Sequence, residues 1–177
     1  MENLYLLLVI VLAVLAIGDL IVGVSNDAVN FLNSAVGSKA ISLRTIMILA
    51  GLGVAFGAFF SSGLMEVARK GIFNPGEFYF DEIILIFTAV MLTDILLLDF
   101  FNTLGMPTST TVSIVFELLG AAVFMSLIKI TSSSGEISDL INYINTSKAI
   151  QIISGIVLSI IVALTIGAIV QCICRIF

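Results

Sequence analysis

The chain has 177 residues, of which 60% are apolar and only 11% charged, with a mean hydropathy of +1.25 and a formal net charge of -5. Soluble domains carry about 25% charged residues, so too little polar surface is left to face water, and a globular soluble domain and a disordered chain are both excluded. Seven basic residues without a basic block exclude a nucleic-acid partner, while zero histidines and two cysteines remove His-based metal sites, Ser-His-Asp triads and disulfide frameworks, and with them most enzyme chemistry.

What remains is an all-α polytopic membrane protein of about five transmembrane or discontinuous helices. Met1-Glu2-Asn3 lacks the basic start of a secretory signal, so Leu4–Val22 is expected to be retained as the first span. It leads into a polar stretch, Ser25 to Ser38. Ile46–Phe60 is a second, Gly-rich run, where Gly53, Ala55 and Gly57 are expected to let neighbouring helices approach. Ser61 to Glu82 contains Arg69, Lys70, Asn74-Pro75-Gly76 and three acids, and reads as an aqueous loop. Ile83–Phe101 and Pro107–Ile130 follow, parted by a short polar break at Asn102 to Gly105. Between Thr131 and Ser147 the spacing of Ile137, Leu140, Ile141 and Ile144 predicts a short helix at the membrane interface. Ala149–Ile173 is the last span, with Cys172 and Cys174 read as small buried hydrophobes. The basic residues divide four against three between the two sides, so the positive-inside rule assigns no orientation. An odd number of crossings is what a tandem duplication needs to place its second copy upside down.

Several polar residues stand at a depth where they are costly. Asp19, Asp27, Asp94, Asp99 and Glu117 lie within or beside apolar runs, where a carboxylate costs about 2.5 to 3.5 kcal/mol at a helix centre. Such groups face a bundle interior or a cavity, or else sit at headgroup level or carry a proton.

Two clusters are more specific. Asn26, Asn30, Asn33 and Gly37 recur at helical spacing and form one polar face with Asp27 beside it. Carboxamide and carboxylate oxygens are hard ligands suited to a small cation, and Gly23 with Ser25 would permit local unwinding. A solvated segment leading into the next helix is the plainer alternative. The second cluster is Gly105-Met106-Pro107-Thr108-Ser109-Thr110-Thr111-Val112-Ser113. Its proline suits a first helical turn, so its hydroxyls fall where unpaired backbone N–H groups point outward, a charge-free donor nest for a tetrahedral oxyanion. Hydroxyls bonded back to their own helix are the alternative.

These residues resemble the inorganic phosphate transporter family of membrane permeases. Asn26-Asp27-Ala28-Val29-Asn30 and Ala35-Val36-Gly37-Ser38 are similar to the family's first signature; Gly105, Pro107, Ser109, Thr110, Thr111, Ser113, Ile114 and Val115 are similar to its second. Two departures stand out: a glycine lies four rather than three residues before Asp27, and Val112 occupies the place of a common histidine. The resemblance implies that phosphate binds near the bilayer midplane between two inverted repeats. Ser109, Thr110 and Thr111 would donate to its oxygens, with Asp27 accepting from its hydroxyl. Asn26, Asp27, Asn30 and Thr111 would hold the coupling cation, and Gly23, Gly105 and Pro107 would mark helix breaks. The family carries each motif twice and this chain once, so residues 1–177 are expected to form a single transmembrane repeat unit. Its second repeat would lie downstream, in a partner chain, or in another copy of this chain.

Neither motif contains Lys or Arg, the usual fixed partners of phosphate. A counter-ion must therefore travel with the anion, which predicts symport with a sodium ion or a proton, in a multi-pass protein of the cell membrane with no resident cofactor and no enzymatic activity. Sulfate transport, a channel with a hydroxyl or backbone filter, and a non-transporting fragment or subunit remain the competing readings.

Overall fold

The computed structural model describes residues 2–61, 71–133 and 135–176, with helix accounting for 87% of the structure. Among the described residues six α-helices follow one another: α1 Glu2–Ser38, α2 Leu43–Phe59, α3 Phe80–Leu104, α4 Thr110–Ser132, the short α5 Leu140–Tyr143, and α6 Thr146–Ile176. α1, α3, α4 and α6 are long and apolar enough to cross a membrane. α2, with 17 residues, rises about 26 Å, a little under the roughly 30 Å of a hydrocarbon core. The all-α polytopic fold expected from composition is the fold observed.

The core is a seam between α3 and α4. Ile86, Val90, Asp94 and Leu98 are buried at every fourth position of α3, facing Val115, Leu118, Ala122, Ser126 and Ile130 of α4. This spacing keeps each stripe on one side of its helix. α1 lies along α3, with Gly18 against Ile95 and Gly23 against Leu98 and Thr110. Most of α6 and nearly all of α2 present exposed apolar side chains, as helices bathed in lipid do. Gly53 and Gly57 have nothing packed within 4 Å of where a side chain would begin, so the close approach expected there is not made among the described residues. Cys172 and Cys174 are exposed on α6 rather than buried.

The first helix corrects an expectation. Leu4–Val22 does not end before the polar stretch: α1 continues without a break through Gly23 and Ser25 to Ser38. Ser25 Oγ donates to the Ile21 carbonyl at 2.8 Å and is satisfied within its own helix. Glycine in a helix costs only about 0.5 to 1 kcal/mol, less than freeing backbone groups among apolar neighbours. Gly23 is therefore a packing position and not a helix break in this conformation.

The break expected at Gly105 and Pro107 is present, since α3 ends at Leu104 and α4 begins at Thr110. Gly105 adopts φ +68°, and the amides of Gly105 and Met106 bond back to Asn102 and Phe101. This left-handed closure is the usual glycine stop. Gly105→Ala is expected to destabilise the fold by about 1 to 2 kcal/mol, the cost of a side chain in that region, read as a lower unfolding midpoint in detergent.

The segment read as an aqueous loop is partly core. Ile72, Phe73 and Phe78 are buried in the same cluster as Ile86, Val90 and Leu118. Asn74 N donates to Tyr143 O at 2.8 Å and Asn145 N to Ile72 O at 3.0 Å, so two connections tie their backbones together. Phe73 packs edge-on against Phe78 with ring centroids 5.5 Å apart. Acids, Asn, Pro and Gly dominate the local composition, and three apolar residues without helical period carry no burial signal in sequence. Arg69 and Lys70 lie outside the described residues. The predicted interfacial helix is found as a 3-10 turn, Ile137–Asp139, running into α5, with Ile137 and Ile141 exposed and Ile144 buried.

Candidate functional site

α1 lies across the connection between α3 and α4, and the two sequence clusters meet there. Asn26 is buried, with 1% of its surface exposed. Its Nδ2 donates to Asn102 Oδ1 at 2.8 Å, and its Oδ1 accepts from the backbone N–H of Thr108 at 3.1 Å. Asn102 Nδ2 reaches back toward the Val22 carbonyl at 3.4 Å. One turn further along α1, Asn30 Nδ2 donates to the Thr108 carbonyl at 2.9 Å. A peptide segment that no helix pairs is thus held at both its N–H and its C=O by two carboxamides from α1.

Asp27 is half-buried, and its Oδ2 accepts a hydrogen bond from Thr110 Oγ1 at 2.9 Å. Ser109 caps α4: its Oγ accepts from Val112 N at 3.4 Å, which leaves its own hydrogen free to donate outward. Thr110 is half-buried, while Ser109 and Thr111 are exposed. The first turn of α4 contains no acidic residue of its own, so the carboxylate beside its partial positive end is that of Asp27 from α1. A cavity of about 70 Å³ lies beside this junction, lined by Asn26, Val29, Asn102, Gly105, Met106 and Pro107. It holds about two waters' worth of space at roughly 30 Å³ each.

Of the polar face predicted on α1, Asn26, Asp27 and Asn30 reach the junction, whereas Asn33 and Gly37 are exposed beyond it. Ser109 and Thr110 stand at the start of α4, and Thr111 follows them in its first turn, exposed. Sequence reasoning missed Asn102, which looked like part of a short polar break. A carboxamide ending an otherwise apolar run just before a glycine stop was the only available signal. The other intramembrane acids divide: Asp99 is exposed, while Asp19, Asp94 and Glu117 gather near Ser113 between α1, α3 and α4.

An all-helical bundle with apolar spans and a polar junction at the break between two of them defines an integral membrane protein. The sequence pattern of the phosphate transporter family matches residues 23–177, and the chain belongs to that family. It is 36% identical over 99 residues to a provisionally named phosphate permease of Thermococcus kodakarensis, covering 54% of this chain and 24% of that protein. A similarly named protein of Pyrococcus furiosus is 37% identical over 99 residues, again covering 54% and 24%. One from Helicobacter pylori is 34% identical, covering 55% of this chain and 19% of its own length. The chain therefore matches about a quarter or less of the length of these curated relatives. No solved structure matches it.

Proposed function

We propose that this chain is one repeat of a cation-coupled phosphate symporter, working with a second, inverted repeat in the membrane that bounds the cell. The observation that carries the reading is the contact of Asp27 with Thr110, because it joins the cation-type cluster of α1 to the anion-type N-terminus of α4. Phosphate would be bound by the hydroxyls of Ser109, Thr110 and Thr111 and by the free N–H groups of the first turn of α4. Asn26, Asp27 and Asn30, joined by Thr111, would supply oxygens to a sodium ion, or Asp27 would take up a proton.

The electrostatics favour co-binding. Asp27 repels an anion placed at Thr110 unless a positive charge lies between them, and neither cluster contains Lys or Arg. Cation and phosphate each lower the cost of desolvating the other, and this reciprocal gain is the thermodynamic content of symport. A phosphate hydroxyl donating to Asp27 distinguishes phosphate from fully ionised sulfate, since hydroxyl donors alone separate the two tetrahedral anions weakly.

The test is uptake of labelled phosphate into proteoliposomes under an imposed sodium or pH gradient, with sulfate as competitor. Saturable uptake that needs the cation gradient and resists sulfate is expected. A steady ionic conductance with no saturation would indicate a channel instead. Uptake by this chain alone would show that two copies assemble in opposite orientations.

A further inference from the structure

We propose that Asp19, Asp94, Ser113 and Glu117 form a proton-binding site within the membrane-spanning bundle, separate from the Asp27 junction, in which at least one carboxyl is held as the acid. Ser113 Oγ lies 2.6 Å from Asp94 Oδ1 and 2.9 Å from Glu117 Oε1. A hydroxyl has one hydrogen to donate, and an ionised carboxylate has none. Both are full two-centre hydrogen bonds only if one carboxyl is protonated and donates to Ser113 Oγ; otherwise a single hydrogen is shared between two anionic oxygens.

The remaining contacts repeat the requirement. Asp94 faces Asp19 of α1 and Glu117 of α4. Two carboxylates facing each other share a hydrogen bond only when one carries a proton, and otherwise repel in a medium of low polarity. Asp94 is 1% exposed, and its Oδ2, together with Asp19 Oδ1 and Glu117 Oε2, is buried without a hydrogen-bond partner. An orphaned acceptor is costly as a full charge and far less so as the O–H of an acid.

Among the described residues no basic group compensates. The titratable groups facing Asp94 are Asp19 from α1 and Glu117 from α4; the other acids of α3 are Asp99, which is exposed, and Asp81 and Glu82 in its first turn, about 18 Å or more along the helix. Lys129 on α4 is engaged with Glu82 at 2.9 Å, and its position twelve residues beyond Glu117 places it about 18 Å further along the helix. Among the described residues no group of three acids is placed to hold a metal ion.

Glu117 also borders open space. Glu117 lines a cavity of about 330 Å³ between α3 and α4, together with Ala89, Val90, Thr93, Gly120 and Ala121. Release transfers the proton from the acid to water in that cavity and leaves one negative charge behind; uptake reverses both. Asp19 precedes Asn26 by seven residues on α1 and Asp94 precedes Asn102 by eight on α3, so the cluster lies about two helical turns, roughly 11 Å, from the polar junction. Ser113 and Thr110 occupy one face of α4 and connect the two.

The test is infrared spectroscopy of the purified chain in phosphate-free lipid nanodiscs at neutral pH, in H2O and in D2O. It reads protonation directly, so its failure is distinguishable from failure of the transport reading. A carboxylic-acid carbonyl band that shifts in D2O is expected from the unsubstituted protein, with its loss or clear reduction in Glu117→Gln or Asp94→Asn and its persistence in Asp99→Asn. Absence of such a band from the unsubstituted protein, which needs no variant to fold, overturns the proposal. A band unaltered in Asp19→Asn, Asp94→Asn and Glu117→Gln alike does so as well.

Discussion

Asp27→Asn is expected to abolish most cation-dependent phosphate uptake while leaving the protein folded in the membrane. Asparagine keeps an oxygen that accepts from Thr110 Oγ1, now at 2.9 Å from Asp27, so the packing of α1 on α4 survives. The negative charge does not. A contact to a charged group contributes about 1.5 to 3 kcal/mol, so the loss corresponds to about 10- to 100-fold in coupled uptake at subsaturating cation. Thr110→Val removes the same hydrogen bond but keeps the charge, and should cost less. A double-mutant cycle on the pair then separates the contact from the charge. Cation-dependent uptake unchanged in Asp27→Asn would remove the symport reading.

The second expected result concerns stability. Asn26→Leu replaces a buried carboxamide by an apolar side chain of comparable length and strands two partners, Asn102 Oδ1 and the backbone N–H of Thr108. Each stranded group costs about 1 to 3 kcal/mol, so the pair should cost about 2 to 6 kcal/mol, visible as a lower denaturation midpoint in detergent. Asn26→Asp keeps the acceptor for Thr108 but loses the donor and buries a carboxylate against Asn102 Oδ1, so it too should fall below the unsubstituted protein. Equal stability in all three proteins would mean that water replaces Asn26 and that the connection is not held by α1.

Much of the junction was legible in the residues. Asn26, Asp27 and Asn30 share a helical face because their spacing is helical, and a glycine and proline before Ser109-Thr110-Thr111 announce a helix start wherever they occur. Both signals are local, carried within a few residues. Asn102 was not legible as a partner, because the bond to Asn26 joins positions 76 apart and exists only once α1 lies along α3. Gly23 misled for the complementary reason. Glycine permits unwinding but does not require it, and the neighbours that decide, Leu98 and Thr110, come from other helices.

The acidic residues divide the same way. Composition alone determined that this chain is an all-α membrane protein and that five carboxylates stand at costly depth, because the expense of moving charge and bare backbone into hydrocarbon depends on residue type and run length. Which of those carboxylates meet was decided only by the tertiary structure. Helix packing turns Asp19, Asp94 and Glu117 inward, leaves Asp99 outside, and sends Asp27 to the helix break with Thr110. The physical reason is that a membrane span's length follows from its own residues, whereas its rotation about its axis depends on what the helices beside it present.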